Sequence, residues 1–180
     1  MKRGLLFVNF KTYKEATGKN ALTLAKTCQK VSKNIILIPQ TLDLLAVKKT
    51  TTLLVYAQYV DPIETGAHTG SLTPFSLKKD KITGSLLNHS EKRIPLSQIK
   101  QTLLLLKKYK LESCVCVPNL PLLKKIKPLQ PTYIAFEPPA LIGSETSVSE
   151  AEPDIIKKAA QILKGTKTKL LIGAGIKSKQ

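Results

Sequence analysis

The most constraining feature of this sequence is a short apolar run followed by a helical pattern, repeated along the chain. The predicted strands are Leu5–Asn9, Ile35–Ile38, Leu53–Gln58, Ile82–Leu87, Ser113–Val117, Tyr133–Phe136 and Leu170–Ile172. The predicted helices are Ala21–Val31, Leu42–Lys48, Pro74–Lys79, Ser97–Lys108, Leu120–Ile126 and Pro153–Leu163. Apolar runs that alternate with helices predict an α/β fold whose parallel strands are buried on both faces. Capping residues mark two helix starts, Asn20 for the first helix and Thr73, followed by Pro74, for the third.

Polar residues at the strand ends decide between a closed (β/α)8 barrel and an open, doubly wound sheet. A barrel brings the carboxyl ends of all its strands to one mouth, whereas an open sheet brings together only those at a switch point. Here the polar or glycine residues follow strands one, three, four, six and seven, at Asn9, Lys11, Gln58, Asn88, His89, Glu137 and Gly173–Gly175. We therefore favour the barrel. We expect residues 1–180 to form one domain with about seven strands, so that the barrel is incomplete at its C-terminal end.

Charge and composition narrow the range of functions. The 180 residues carry a net charge of +17, nearly all of it lysine, since the only arginines are Arg3 and Arg93. The lysines are spread along the chain and aromatic residues make up only 5%, which argues against nucleic-acid binding and favours a solvated face that attracts an anionic substrate. No apolar run approaches the ~20 residues of a membrane span. We expect a soluble cytoplasmic protein whose three cysteines, Cys28, Cys114 and Cys116, are reduced core residues rather than metal ligands.

Several of the strand-end residues have the chemistry of an active site. Glu137 precedes the long polar loop 138–153, where a closing lid would make it a general base. His89 begins a turn whose backbone N–H groups favour a neutral imidazole. Lys11 offers a fixed positive charge, and Gly143 with Gly173–Gly175 offers free N–H groups for a phosphate. Each residue alone also fits a structural role, so the prediction depends on their common placement.

These residues lie in motifs that resemble those of the triosephosphate isomerase family, in its archaeal form. The motifs occur in the family's order across essentially all 180 residues. They are Val8–Lys11, Ala57–Gln58 with Gly66–Gly70, Leu87–Arg93, Phe136–Pro139 with Leu141–Gly143, and Ile172–Ile176.

The resemblance implies an isomerase of glycolysis and gluconeogenesis that interconverts dihydroxyacetone phosphate and glyceraldehyde 3-phosphate without a metal or organic cofactor. It implies that Glu137 is the base and that neutral His89 polarises the carbonyl. Both roles are taken from the resemblance, because the family is a standard example of a carboxylate base acting with a neutral histidine. It also implies that Lys11 and Asn9 stabilise the developing negative charge.

The resemblance assigns further roles to residues around this centre. The phosphate is expected on the lid and on the loop after the seventh strand, at Gly143, Gly173, Ala174 and Gly175. Ser90 is expected to contact the base before the lid closes, and Glu91 to support Lys11. Thr69 lies on the loop that reaches a neighbouring subunit, which implies a homodimer or homotetramer.

The sequence departs from the family in two places. Glu145 stands in the lid where glycine is usual. Family members also continue through a further helix, an eighth strand and an eighth helix, on the order of 45 residues by the usual barrel length. Three explanations stay open: an incomplete gene, a second polypeptide that supplies these elements, or a non-catalytic copy. A lysine-rich nucleic-acid-binding barrel and a barrel enzyme for another phosphorylated sugar are the alternative functions.

Overall fold

The alternation of strands and helices is confirmed in the computed structural model, which describes residues 4–138 and 153–173. The strands are β1 Leu6–Asn9, β2 Ile35–Ile38, β3 Leu54–Ala57, β4 Gly84–Leu87, β5 Glu112–Val117, β6 Tyr133–Phe136 and β7 Lys169–Ile172. The helices are α1 Lys19–Val31, α2 Leu44–Thr50, α3 Pro74–Lys79, α4 Leu96–Lys108, α5 Leu120–Ile126 and α6 Pro153–Leu163. Within the described ranges, no helix is long and apolar enough to cross a membrane.

The chain divides into two compact units. The first comprises Met1–Leu86 and Leu104–Glu112, and the second comprises Leu87–Leu103 and Ser113–Gln180. In each unit the paired strands are parallel and follow the order of the chain. The predicted α/β class with parallel strands is therefore confirmed.

The first unit contains parallel strands β1 to β3 and the first three residues of β4. Leu6 pairs with Ile35, and Tyr56 pairs with Gly84. All four residues of β2 are buried, as expected for a strand covered on both faces. Gly84 is required at its position because a Cβ there would lie 2.3 Å from the Glu112 carbonyl oxygen and 2.9 Å from Cζ of Tyr56.

The second unit is built on β5, β6 and β7. Cys114 pairs with Tyr133, and Phe136 pairs with Ile172. Helices α5 and α6 pack against each other, and α6 also packs against β7. Cys114 and Cys116 are buried in β5 as free thiols, in agreement with their prediction as reduced core residues. The prediction is wrong for the burial of Cys28, a free thiol that is only half-buried on α1.

The helix starts confirm one of the two capping predictions. Thr73 caps α3, because its Oγ1 accepts a hydrogen bond from the Ser76 N–H at 3.2 Å. The prediction for Asn20 is wrong, since α1 begins at Lys19 and Gly18 precedes it with a φ of 59°. Glycine tolerates this left-handed conformation, and its N–H donates to Oδ2 of Asp43 at 2.9 Å. The cap therefore depends on a residue distant in sequence.

Two lysines end helices in the left-handed conformation that usually selects glycine. Lys81 follows α3 with a φ of 57°, and Lys110 follows α4 with a φ of 54°. Both ends form the Schellman pattern of hydrogen bonds, in which the next residue donates back five positions, Ile82 to Leu77 and Leu111 to Leu106. The apolar residues that each of these hydrogen bonds joins are buried.

Candidate active site

In the first unit, Asn9 and Lys11 come together where β1 ends. The Lys11 N–H donates to Oδ1 of Asn9 at 2.9 Å, which closes a tight turn. Lys11 has a φ of 49°, a conformation that a lysine outside a helix end adopts only when its surroundings impose it. Both side chains are half-buried, and Nζ of Lys11 lies 5.9 Å from the ring centre of Tyr13. The turn therefore holds a positive charge at the end of a strand.

The side chain of Gln58 supports this turn from the end of β3. Its Nε2 donates to the Lys11 carbonyl oxygen at 2.9 Å and lies 3.3 Å from Oδ1 of Asn9. The same nitrogen lies 3.3 Å from the Ile38 carbonyl oxygen at the end of β2. One amide group thus ties three strand ends together. The sequence marks Gln58 only as a polar strand-end residue, because its three partners are distant along the chain.

Thr69 lies on an exposed loop of the first unit between β3 and α3. The two ends of this loop are joined, since Asp61 N–H donates to the Leu72 carbonyl and Leu72 N–H donates to Oδ2 of Asp61, both at 2.8 Å. Glu64, within the loop, accepts hydrogen bonds from Lys108 and Tyr109. The loop is anchored at its base and middle and exposes Thr69, whose role at an interface stays a prediction.

In the second unit, His89 follows β4 in a turn that constrains its ring. The side chain is 16% exposed, and its Nδ1 lies 3.3 Å from the Glu91 N–H and 3.6 Å from Oε2 of Glu91. The backbone N–H is a permanent donor at the shorter distance, so we assign Nδ1 as the acceptor of the neutral ring. Nε2 then carries the proton and is the donor of the imidazole. This tautomer is the one that can donate a hydrogen bond to a substrate oxygen.

Glu137 follows β6 directly and is held closely on two sides. Its N–H donates to the Val117 carbonyl oxygen at 2.9 Å, which extends the pairing of β5 with β6. A Cβ on Gly173 would lie only 2.9 Å from both Cγ and Oε1 of Glu137. Oε2 is buried and accepts no hydrogen bond from the residues that the structure describes. Unpaired buried polar atoms are rare in proteins, which makes this oxygen a candidate functional group.

Glu137 interacts with two buried thiols of β5. Burial raises the pKa of Cys116 well above its ordinary value, and the negative charge of Glu137 raises it further. Burial, followed by the charge of Glu137, also raises the pKa of Cys114. The carboxylate therefore has neutral thiol neighbours in β5, a feature that the sequence alone does not mark.

The predicted phosphate-binding residues are described only in part. Gly143, Ala174 and Gly175 lie outside the described residues, as does Glu145. The Gly173 N–H donates to the Phe136 carbonyl oxygen at 3.1 Å, so in this structure it extends the pairing of β6 with β7. Its predicted contact with phosphate stays a prediction. Ser90 is half-buried beside His89.

Among residues 4–138 and 153–173, no group of three His, Cys, Asp or Glu side chains could hold a metal ion. The second unit supplies a carboxylate with one unpaired oxygen and an imidazole donor, and the first unit supplies a fixed positive charge. Groups of these kinds can act in a proton transfer next to a carbonyl.

Comparison with known proteins gives one consistent result. The family model described as triosephosphate isomerase matches residues 4–180. The triosephosphate isomerase of Methanothermus fervidus is 41% identical over an alignment that covers 99% of this chain and 83% of its own length. Those of Methanobrevibacter smithii and Metallosphaera sedula are 38% and 41% identical, over 82% and 80% of their respective lengths.

Proposed function

Because the chain belongs to the triosephosphate isomerase family, we propose that it interconverts dihydroxyacetone phosphate and glyceraldehyde 3-phosphate through an enediolate. The family also identifies the fold as a (β/α)8 barrel, of which seven parallel strands lie in the described residues. The observation that carries the proposal is Glu137, whose buried Oε2 is unpaired among these residues.

Glu137 is proposed as the base that moves the proton. A lone pair that no described donor occupies is available to take a proton from the carbon next to the substrate carbonyl. The electron pair of the broken C–H bond forms the enediolate. Glu137 then returns the proton to the neighbouring carbon, so that the carboxylate ends the cycle as it began.

His89 and Lys11 are proposed to stabilise the negative charge that develops on the substrate oxygens. The Glu91 N–H lies 3.3 Å from Nδ1 of His89, which leaves Nε2–H as the donor. Lys11 contributes charge from a turn that Asn9 and Gln58 hold rigid. A preorganised donor and charge act without reorganising during the reaction, which is why such groups lower the barrier.

The remaining roles follow from the family resemblance. We propose that Gly143, Gly173, Ala174 and Gly175 bind the phosphate, that Ser90 contacts the base and that Glu91 supports Lys11. The net charge of +17 would attract the anionic substrate. We also propose a cytoplasmic enzyme of glycolysis and gluconeogenesis that forms a homodimer or homotetramer through the loop bearing Thr69. Sedimentation of the Thr69→Arg variant would test the assembly, since an interface there should be weakened.

The test of the function is an isomerisation assay of the purified 180-residue chain in both directions. Glu137→Gln keeps the shape of the side chain and removes the base, so we expect kcat to fall at least about 10²- to 10⁴-fold. Glu15→Gln removes an exposed carboxylate of the first unit and serves as the matched control. A folded chain that does not isomerise triose phosphates, or a Glu137→Gln variant with full activity, would refute the proposal.

A further inference from the structure

Asn88, the residue before His89, has an unusual environment. It is 3% exposed and has a φ of 59°, the left-handed conformation that is uncommon for residues other than glycine. Asparagine tolerates this conformation better than most residues, but glycine would adopt it without strain. The strand-to-turn geometry therefore does not by itself explain a buried amide at this position.

Both ends of the Asn88 side chain are used. Its Nδ2 donates to the Cys116 carbonyl oxygen of β5 at 2.9 Å. Its Oδ1 accepts a hydrogen bond from the Ile94 N–H at 3.1 Å. The side chain thus joins the end of the neighbouring strand to the far end of the turn, and a buried amide with a donor and an acceptor both satisfied is strongly oriented.

The same turn encloses His89. The guanidinium of Arg93 donates to the Asn88 carbonyl oxygen at 2.7 Å, and the Lys92 N–H donates to the His89 carbonyl oxygen at 2.9 Å. The Glu91 N–H that faces Nδ1 of His89 therefore belongs to a closed loop of residues 88–94. The position of that N–H depends on Asn88, which holds the loop at both ends.

We infer that Asn88 is a positioning residue whose buried amide holds the 88–94 turn so that the Glu91 N–H fixes the tautomer and direction of the His89 ring. The consequence for catalysis rests on the proposed isomerase function. A ring that rotates or exchanges tautomers presents an acceptor instead of a donor for part of the time. The rate then falls with the fraction of molecules in which Nε2–H faces the substrate.

The test compares the unmodified 180-residue chain with Asn88→Gly, which keeps the backbone conformation and removes both side-chain hydrogen bonds. Nitrogen-15 NMR reports the tautomer directly, and His68 is the only other histidine in the chain. We expect one protonated and one unprotonated ring nitrogen for His89 in the unmodified chain and averaged signals in the variant. We expect kcat to fall about 10- to 100-fold with KM nearly unchanged.

Two further variants keep the inference falsifiable. Asn88→Asp keeps the acceptor for the Ile94 N–H but places an oxygen against the Cys116 carbonyl, so it should disturb His89 even if Asn88→Gly does not fold. Asn119→Gly is the matched control, because Asn119 Oδ1 accepts the Leu122 N–H at 2.9 Å away from the histidine turn. It should lower stability and leave the His89 signals and kcat unchanged.

The outcomes separate this inference from the proposed function. His89 signals that are unchanged in folded Asn88→Gly or Asn88→Asp, or that are disturbed equally by Asn119→Gly, would overturn the positioning role. The NMR and activity results can also disagree. If Asn88→Gly averages the His89 signals but neither the variant nor the unmodified chain isomerises triose phosphates, the positioning role is supported and the proposed function is refuted.

Discussion

The close approach of Gly173 to Glu137 makes a sharp prediction about the proposed base. A methyl group added in Gly173→Ala would lie 2.9 Å from both Cγ and Oε1 of Glu137 and 3.3 Å from its Cδ. Non-bonded carbon atoms prefer separations of about 3.5–4.0 Å, so the Cγ contact is short by at least about 0.6 Å. The methyl group is attached to main chain paired with Phe136, which leaves the Glu137 side chain as the part that moves.

The expected effect follows from that displacement. A misplacement of a reacting group by about 1 Å can lower a rate about 100-fold. A shift of about 0.6 Å should therefore reduce kcat by about 10- to 100-fold, which corresponds to about 1.4–2.7 kcal/mol in the activation barrier. Overpacking should also lower the free energy of unfolding by about 1–3 kcal/mol.

Steady-state kinetics together with thermal unfolding would check this prediction. Gly165→Ala is the matched control, because a Cβ there meets no atom within 4 Å while its φ of 78° still strains an alanine. The control should lose stability and keep its kcat. A folded Gly173→Ala variant whose kcat matches that of the unmodified chain would show either that Glu137 is not displaced or that it is not the base.

Three further changes have defined outcomes. Gln58→Glu replaces the donor that faces the Lys11 carbonyl with an acceptor, so unfolding measurements should show a loss of about 1–3 kcal/mol and assays a lower kcat. Gly84→Ala places a methyl group 2.3 Å from a main-chain carbonyl oxygen of β5, and calorimetry should show a stability loss of at least about 1–3 kcal/mol. The hydrogen bonds from Lys108 and then Tyr109 lower the pKa of Glu64, so its stabilising effect is present above the unfolded pKa of about 4.3 and is lost as pH falls through the lower folded value. Acid titrations of the unmodified chain and Glu64→Gln should therefore differ in stability near neutral pH and converge in acid, and a constant difference would contradict this reasoning.

The strands were predictable because parallel strands buried on both faces leave an uninterrupted apolar run. β2 and β6 have the predicted bounds, and β4 begins at Gly84 instead of Ile82. The start of α1 was not predictable from local rules, since Gly18 is held by an aspartate that lies 25 residues further along the chain. Local capping preference favours Asn20, whereas a long-range hydrogen bond selects the glycine.

The residue types of the candidate site were predictable from the sequence, but the hydrogen bonds that hold those residues in place were not. Lys11, His89 and Glu137 follow strands, and chemistry at strand ends is the general pattern of this architecture. The hydrogen bonds from Gln58 to Asn9 and from Asn88 to Cys116 join residues that are 49 and 28 positions apart in sequence. A single sequence shows the polar residue at each position but not the partner that gives it a role.

The left-handed lysines have a consequence for directed evolution of this chain. Lys81 and Lys110 follow helix ends, and glycine at these positions would remove the backbone strain. Lys11 and Asn88 have the same backbone conformation, but the side chain of Lys11 is proposed to stabilise the reacting charge and that of Asn88 to position His89. A library selected only for heat resistance should accept glycine at Lys81, Lys110 and Lys11, where glycine relieves backbone strain. It should reject glycine more often at Asn88, because two buried hydrogen bonds would be lost there. Stable variants from such a library should therefore be active when only Lys81 or Lys110 was exchanged and inactive when Lys11 was exchanged.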